Sequence, residues 1–206
     1  MLLRHGRTAD NRDGRFQGQL DTPLDEVGQE QARAAALALV PTDPCALLTS
    51  GLARARVTAE AVGAAVGLRP LVDPRLAELD LGAWQGLTAA EAAQEFAGEH
   101  AAWRAGRDVP RGGGETYRDA GERAAACLVE HLDAVPPGRT LVAVTHGGTG
   151  RAALGVLLDL PPESWGRLVA LGNCCWSVLV EAEIGWRLEV HNAGVGPGTQ
   201  PASRPG

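Results

Sequence analysis

A chain of 206 residues with 19 Lys and Arg against 25 Asp and Glu carries a net charge of −6 and has a pI near 5.4. The length suits one domain burying roughly 70% of its unfolded surface, and 45% hydrophobic with 21% charged residues is the make-up of a globular chain. The acidic balance argues against nucleic acid or an anionic membrane as the main partner, no apolar run reaches transmembrane length, and Met1-Leu2-Leu3 before Arg4 is too short for a secretory signal.

Leu2–Arg4 reads as a short buried strand that delivers Arg4-His5-Gly6 where it ends. Residues 26–39 have helical periodicity, with Asp25 as N-cap. Ala46-Leu47-Leu48-Thr49 is a second strand, followed by Ser50-Gly51 and a helix from about Ala53 to Val66 that Gly67 stops. A short strand is expected over Pro70–Asp73, then a polar loop with Trp84 to Gly86. Thr88-Ala89-Ala90-Glu91 is a capping box opening the next helix. Residues 106–114, rich in Gly, Pro and Arg, form a loop, and Thr116 with Asp119 starts a helix to about Ala134.

Leu141–Thr145 is continuous and β-branched, as a buried central strand should be. It runs into His146-Gly147-Gly148 and a helix to about Leu158. Residues 176–181 and 186–191 alternate about a Gly-containing turn, the pattern of a closing antiparallel hairpin. From Gly194 on, Gly, Pro and Ser predict a flexible tail, so the domain is expected over 1–193 and the tail over 194–206. Cys45, Cys127, Cys174 and Cys175 form no Cys-x-x-Cys pair, and adjacent cysteines make a poor disulfide. Reduced, mostly buried thiols in the cytoplasm are expected, and no Cys/His cluster shows zinc spacing.

Strands alternating with helices imply an α/β fold: three layers, a doubly wound and mainly parallel sheet with helices on both faces, and an antiparallel C-terminal edge. Ligands of such sheets bind beyond the carboxyl ends of the strands. His5, Ser50 and His146 all follow strand ends. Arg54 lies in the first turn of a helix that begins there and can reach back to an anion, and Gly147 opens a helix N-terminus suited to a phosphate. Arginine offers a planar fork that matches phosphate, and histidine serves as nucleophile or acid/base near neutral pH.

The segments Arg4-His5-Gly6, Thr49-Ser50-Gly51-Leu52-Ala53-Arg54-Ala55-Arg56, Leu76-Ala77-Glu78-Leu79-Asp80-Leu81-Gly82 and Thr145-His146-Gly147-Gly148, in this order, resemble the histidine phosphatase (phosphoglycerate mutase-like) superfamily. The resemblance implies that His5 is a nucleophile that becomes phosphohistidine. It implies that Arg4, Arg54 and His146 clamp the phosphoryl oxygens, and that Glu78 is the general acid for the leaving alkoxide. It also implies substrate contacts from Asn11, Gln17, Gly18, Gly147 and Glu115, the last in a Gly113–Thr116 segment that closes over substrate. No cofactor and no metal are called for, since two arginines and a histidine supply the charge that phosphoryl transfer needs.

Within the family, the stretches Gln17–Thr22, Leu81–Thr88, Gly172-Asn173 with Trp176, and Trp186–Val190 with Asn192-Ala193 are similar to the actinobacterial glucosyl-3-phosphoglycerate phosphatases. The implied activity is hydrolysis of a small phosphorylated metabolite, with glucosyl-3-phosphoglycerate first and a possible homodimer as the assembly. The alternatives are a phosphoglycerate mutase, whose Arg-Arg-Tyr-Gly signature is missing from residues 87–115, a broad-specificity sugar phosphatase, and a non-catalytic phosphate-binding scaffold. Trp84, Trp103 and Trp176 read as packing residues in place of sugar platforms, with Trp84, close to Glu78 in sequence, the best candidate among them for lining the pocket. Arg12 and Arg15 read as solvated loop charges, with substrate contact as the alternative.

Overall fold

A computed structural model describes residues 1–195, so most of the expected tail lies outside the described residues. Six strands form one sheet: β1 (Leu2–Arg4), β2 (Pro44–Thr49), β3 (Leu71–Val72), β4 (Thr140–Thr145), β5 (Trp176–Ala182) and β6 (Gly185–Ala193). Their spatial order is β3-β2-β4-β1-β5-β6, with β3, β2, β4 and β1 parallel and β5 and β6 antiparallel. The mixed sheet with its antiparallel C-terminal edge is the architecture the sequence implies.

Alternation along the strands splits the core into two faces. Leu3, Leu47, Val142 and Val144 pack against α2 (Glu26–Leu39) and α3 (Ala53–Val66) through Ala32, Ala35, Ala36, Ala59 and Val62. Leu2, Leu48, Leu141 and Ala143 pack against α6 (Tyr117–Leu132) and α7 (Gly147–Leu157) through Ala124, Leu128, Ala153 and Leu154. Each fully buried Leu or Val contributes about 1.5–3 kcal/mol, and β4, covered on both faces, is the strand the rest is built around. The alanine-rich helices α2 and α3 owe their close approach to small side chains.

The helices begin where the sequence placed their caps. Asp25 accepts from Gly28 N, and Thr88 and Thr116 close full capping boxes with Glu91 and Asp119. Two elements carry no apolar periodicity and were not expected. One is α1 (Ala9–Arg12), set by a Thr8–Asn11 capping box. The other is the break at Phe96 that divides the expected helix into α4 (Ala89–Glu95) and α5 (Ala97–Arg104). A satellite cluster of Leu79, Leu81, Trp84, Ala92 and Ala120, joined by Phe16, Phe96, Trp103 and Tyr117, supports these segments outside the sheet.

Candidate active site

In register, Arg4 pairs with Thr145 and Thr49 with Val144, so β1, β2 and β4 end level. The next residues, His5, Ser50 and His146, are therefore brought to one edge, and all three are buried. The His5 backbone is held from three sides: its N–H donates to Thr145 O (3.1 Å), and its carbonyl accepts from Cys174 N (3.2 Å) and Asn173 Nδ2 (3.1 Å). The Gly6 N–H donates to Thr58 Oγ1 (3.1 Å). Gly6 is a glycine because α2 crosses here: a Cβ would collide with the Gly28 carbonyl. Its role is close packing of backbone on backbone.

The His5 ring places Nδ1 2.7 Å from Gly6 O. A carbonyl only accepts, so Nδ1 carries the proton. Burial, with the charges of Arg54, His146 and Arg4, holds the His5 pKa well below the usual histidine range. The ring is neutral at physiological pH, and Nε2 keeps its lone pair. His146 is lowered in the same way by burial and by Arg54 and Arg4. The two rings lie 5.1 Å apart, tilted by 57°. His146 Nε2 is 2.7 Å from Ser50 Oγ, while its buried Nδ1 has no partner.

Arg54 reaches back from the first turn of α3, as the sequence implies, and is 1% exposed. Its Nη1 and Nη2 donate to the carbonyls of Leu20 (2.6 Å) and Gly18 (2.7 Å), which fixes the guanidinium and leaves the buried Nε unpartnered. Gly18 has φ +54°, and a Cβ there would strike the Gln85 side chain. Arg4 donates to Leu171 O (2.7 Å), and its Nε is also buried and unpartnered. Two arginines are thus fixed through their ends by main-chain carbonyls, with no carboxylate within ion-pair distance of either among the described residues.

Glu78 sits against the start of α7. Its carboxylate accepts from Gly148 N (3.1 Å), Thr149 N (2.8 Å), Thr149 Oγ1 (3.1 Å) and its neighbour Leu79 N (3.0 Å). Burial raises its pKa, but the N–H groups of Thr149 and Gly148, the charge of Arg54 and the Leu79 N–H outweigh it, so the group lies below the ordinary carboxyl range. In this state Glu78 is a carboxylate.

These groups open on a cavity of about 730 Å3. Of the residues expected at the site, Arg4, His5, Asn11, Gln17, Gly18, Arg54, Glu78 and Gly147 line it, and His146 packs behind them against His5. Gln17 accepts from Thr8 Oγ1 (3.0 Å), and Asn11 Oδ1 accepts from Asn173 Nδ2 (3.0 Å).

One expectation needs correction. Glu115 does not line the cavity: its carboxylate pairs with Arg123 (2.8 Å) and accepts from Asp80 N (2.9 Å). Arg123 in turn donates to the carbonyls of Arg75, Ala77 and Glu78, so Glu115 braces the loop that carries Glu78. Trp84 packs, as its first reading has it: it is fully buried among Phe16, Phe96, His100 and Trp103, and Trp103 and Trp165 are the tryptophans that face the cavity. Arg15 lines the cavity, the second of its two readings, and with it a basic far wall that the sequence did not reveal, to which Arg104, Arg107, Arg111, Arg151 and Arg167 contribute. For Arg104, Arg107 and Arg111 the signal was the arginine content of 104–111; Arg151 and Arg167 had none.

None of the four cysteines is in a disulfide, and burial pushes the Cys174 thiol up to about 12. Asp73, Cys127 and His131 come within 4.8 Å of one another, a grouping hidden from spacing rules because Asp73 is distant in sequence. Arg75 already engages both Asp73 oxygens (2.7–3.2 Å). No helix among the described residues is long and apolar enough to cross a membrane.

Comparison with known proteins agrees with this geometry. Residues 1–194 match the model of the histidine phosphatase superfamily, branch 1. A glucosyl-3-phosphoglycerate phosphatase of Mycobacterium tuberculosis is 39% identical over 94% of this chain and 93% of its own length. A probable phosphoglycerate mutase of Yersinia enterocolitica is 33% identical over 90% of this chain and 86% of its own. The solved mycobacterial glucosyl-3-phosphoglycerate phosphatase in complex with VO3 superposes with a TM-score of 0.88 at 41% identity, covering 94% of this chain and 98% of that one. This chain belongs to branch 1 of the histidine phosphatase superfamily.

Proposed function

We propose that the protein hydrolyses glucosyl-3-phosphoglycerate through a phosphohistidine on His5, with no metal in the reaction. The observation that carries the chemistry is the His5 ring: neutral, with Nδ1–H committed to Gly6 O at 2.7 Å and Nε2 left as the nucleophile. In the first step Nε2 forms a bond to phosphorus as the ester P–O bond breaks. Arg4, Arg54 and His146 hold the phosphoryl oxygens; the unpartnered Nε atoms of the arginines and Nδ1 of His146 are the donors available for this. Ser50, giving its hydroxyl proton to His146 Nε2, keeps the proton of that ring on Nδ1.

Glu78 protonates the leaving alkoxide. It is ionised in the unliganded site, so its proton arrives with the substrate: a phosphoryl group placed beside it adds negative charge and raises its pKa. In the second step Glu78 takes a proton from water as the water oxygen attacks phosphorus and the P–N bond breaks. This returns His5 to its neutral form. Asn11, Gln17, Gly18 and Gly147 serve as substrate contacts from the cavity wall.

The substrate assignment draws on the relatives named for glucosyl-3-phosphoglycerate and on the loops shared with that group. Four cysteines outside any disulfide favour a cytoplasmic setting. The exposed Val180, Ile184 and Val190 on the β5–β6 hairpin favour a homodimer. Residues 1–193 act as one catalytic domain.

A panel of glucosyl-3-phosphoglycerate, 3-phosphoglycerate, 2,3-bisphosphoglycerate and sugar phosphates tests the reading. A hundredfold preference in kcat/KM for the first, about 2.7 kcal/mol in transition-state binding, is expected. Equal turnover across the panel, or interconversion of phosphoglycerates in place of phosphate release, overturns it.

A further inference from the structure

The groups assigned to the phosphate leave the opposite wall of the cavity unexplained. There Arg111 is 4% exposed, lines the cavity and has a buried Nε without a partner. Its guanidinium lies 4.5 Å from the centroid of the Tyr117 ring, and that of Arg151 lies 4.7 Å from the same centroid. Two guanidinium groups are thus gathered on one aromatic ring. Among the described residues neither has an ion-pair partner. Asp108, the acid on this wall, is engaged elsewhere: its oxygens accept from Tyr117 N (2.7 Å) and Arg118 N (3.0 Å) at the start of α6. Removing an arginine from water without a counter-ion is costly. Placing a second one on the same ring compounds that cost unless an anion joins them.

Position supplies the spacing. Arg151 stands four residues after Gly147 on α7, so it lies on the same helix face one turn further along, a rise of about 6 Å from the phosphate end. A carboxylate two carbons away from a phosphoester oxygen spans a gap of this order.

We propose that Arg111 and Arg151, braced on Tyr117, form a second anion subsite that takes a carboxylate carried by the same small molecule as the phosphate. The proposal rests on the hydrolase reading for where the phosphate sits, and goes beyond it in assigning the second charge. It makes these arginines the residues that select a phosphoglycerate-type substrate over a sugar phosphate that has no carboxylate.

The test is calorimetric binding of 3-phosphoglycerate and of glycerol 3-phosphate, which has a hydroxymethyl group in place of the carboxylate, to the turnover-blocked His5→Ala protein. The acid is expected to bind at least tenfold more tightly. Arg111→Gln and Arg151→Gln, each added to that background, are expected to shrink the gap below threefold. Arg151 is partly exposed, so its variant carries the test alone if Arg111→Gln does not fold. Equal affinity for the two ligands, no binding of either, or a gap that persists in the variants overturns the subsite. Failure of the hydrolase reading shows separately, as absence of p-nitrophenyl phosphate turnover by the unaltered protein, which does not enter the binding comparison.

Discussion

The floor and the far wall of the cavity are built differently. The floor is a set of strand ends and helix starts: His5, Ser50 and His146 follow three parallel strands held in register, and Arg4, Arg54 and Glu78 are tied to main-chain groups. The wall is contributed by α5, the loop after it, Tyr117, Arg151 and the 162–170 segment, and α5 and Tyr117 rest on aromatic packing around Trp84. A floor locked by the sheet fixes how a phosphate is handled. A wall carried by loops and one satellite cluster is free to vary in what else the substrate bears. Chemistry and specificity are thereby given to parts of the molecule with different sources of rigidity.

The difference can be broken first by removing the support of the wall. Trp84→Ala should cost about 3–5 kcal/mol as seen in denaturant unfolding. In hydrogen exchange, residues 87–118 should open before β1 and β4; uniform loss of protection would mean that the wall is no separate unit. Next, Arg54→Ala should lower kcat/KM about 10²–10³-fold on every phosphomonoester alike, because Arg54 acts on the phosphate alone. A loss confined to one substrate would contradict that division.

Glu78→Gln sharpens the comparison by leaving group. It should cost about 10²-fold or more on alkyl phosphates and less than about tenfold on p-nitrophenyl phosphate, whose leaving group needs little help from a proton donor. Equal losses would remove Glu78 from the acid role.

The smallest effect is on stability against pH. His5 and His146 are held below the usual histidine range in the folded protein, so the unfolded chain binds more protons as pH falls through about 6.5. Stability therefore decreases on acidification from pH 7.5 to 5, by up to about 1.4 kcal/mol per pH unit for each histidine. The buried Met1 amine, lowered to about 5 by its burial, adds to the fall with the same sign. Glu78, also lowered, contributes only below its unfolded value of about 4.3. The diagnostic is the slope of unfolding free energy, which should flatten in His5→Asn; an unchanged slope would mean that His5 is not held neutral by the fold.

The same contrast explains what could be seen in the sequence. β4 and β1 were legible because burial on both faces demands continuous apolar residues, and the helix starts were legible because Asp25, Thr88 and Thr116 cap them by local chemistry. With the strand ends known, the floor followed. The wall depends on contacts that local pattern does not encode. Glu115 stands in a loop suited to closing over substrate, yet Arg123, eight residues on, draws it under the Glu78 loop. Trp84 is near Glu78 in sequence but points into the aromatic cluster, while Trp103, the penultimate residue of α5, reaches the cavity. The pairing of Arg111 with Arg151 over Tyr117 joins residues forty positions apart.

The central claim is that His5 forms the covalent intermediate, and rapid quenching with a phosphate-labelled substrate tests it directly. The account predicts an acid-labile, base-stable phosphoryl group recovered on the peptide containing His5 and absent from His5→Ala. A label that survives acid, or one that persists in His5→Ala, would contradict it.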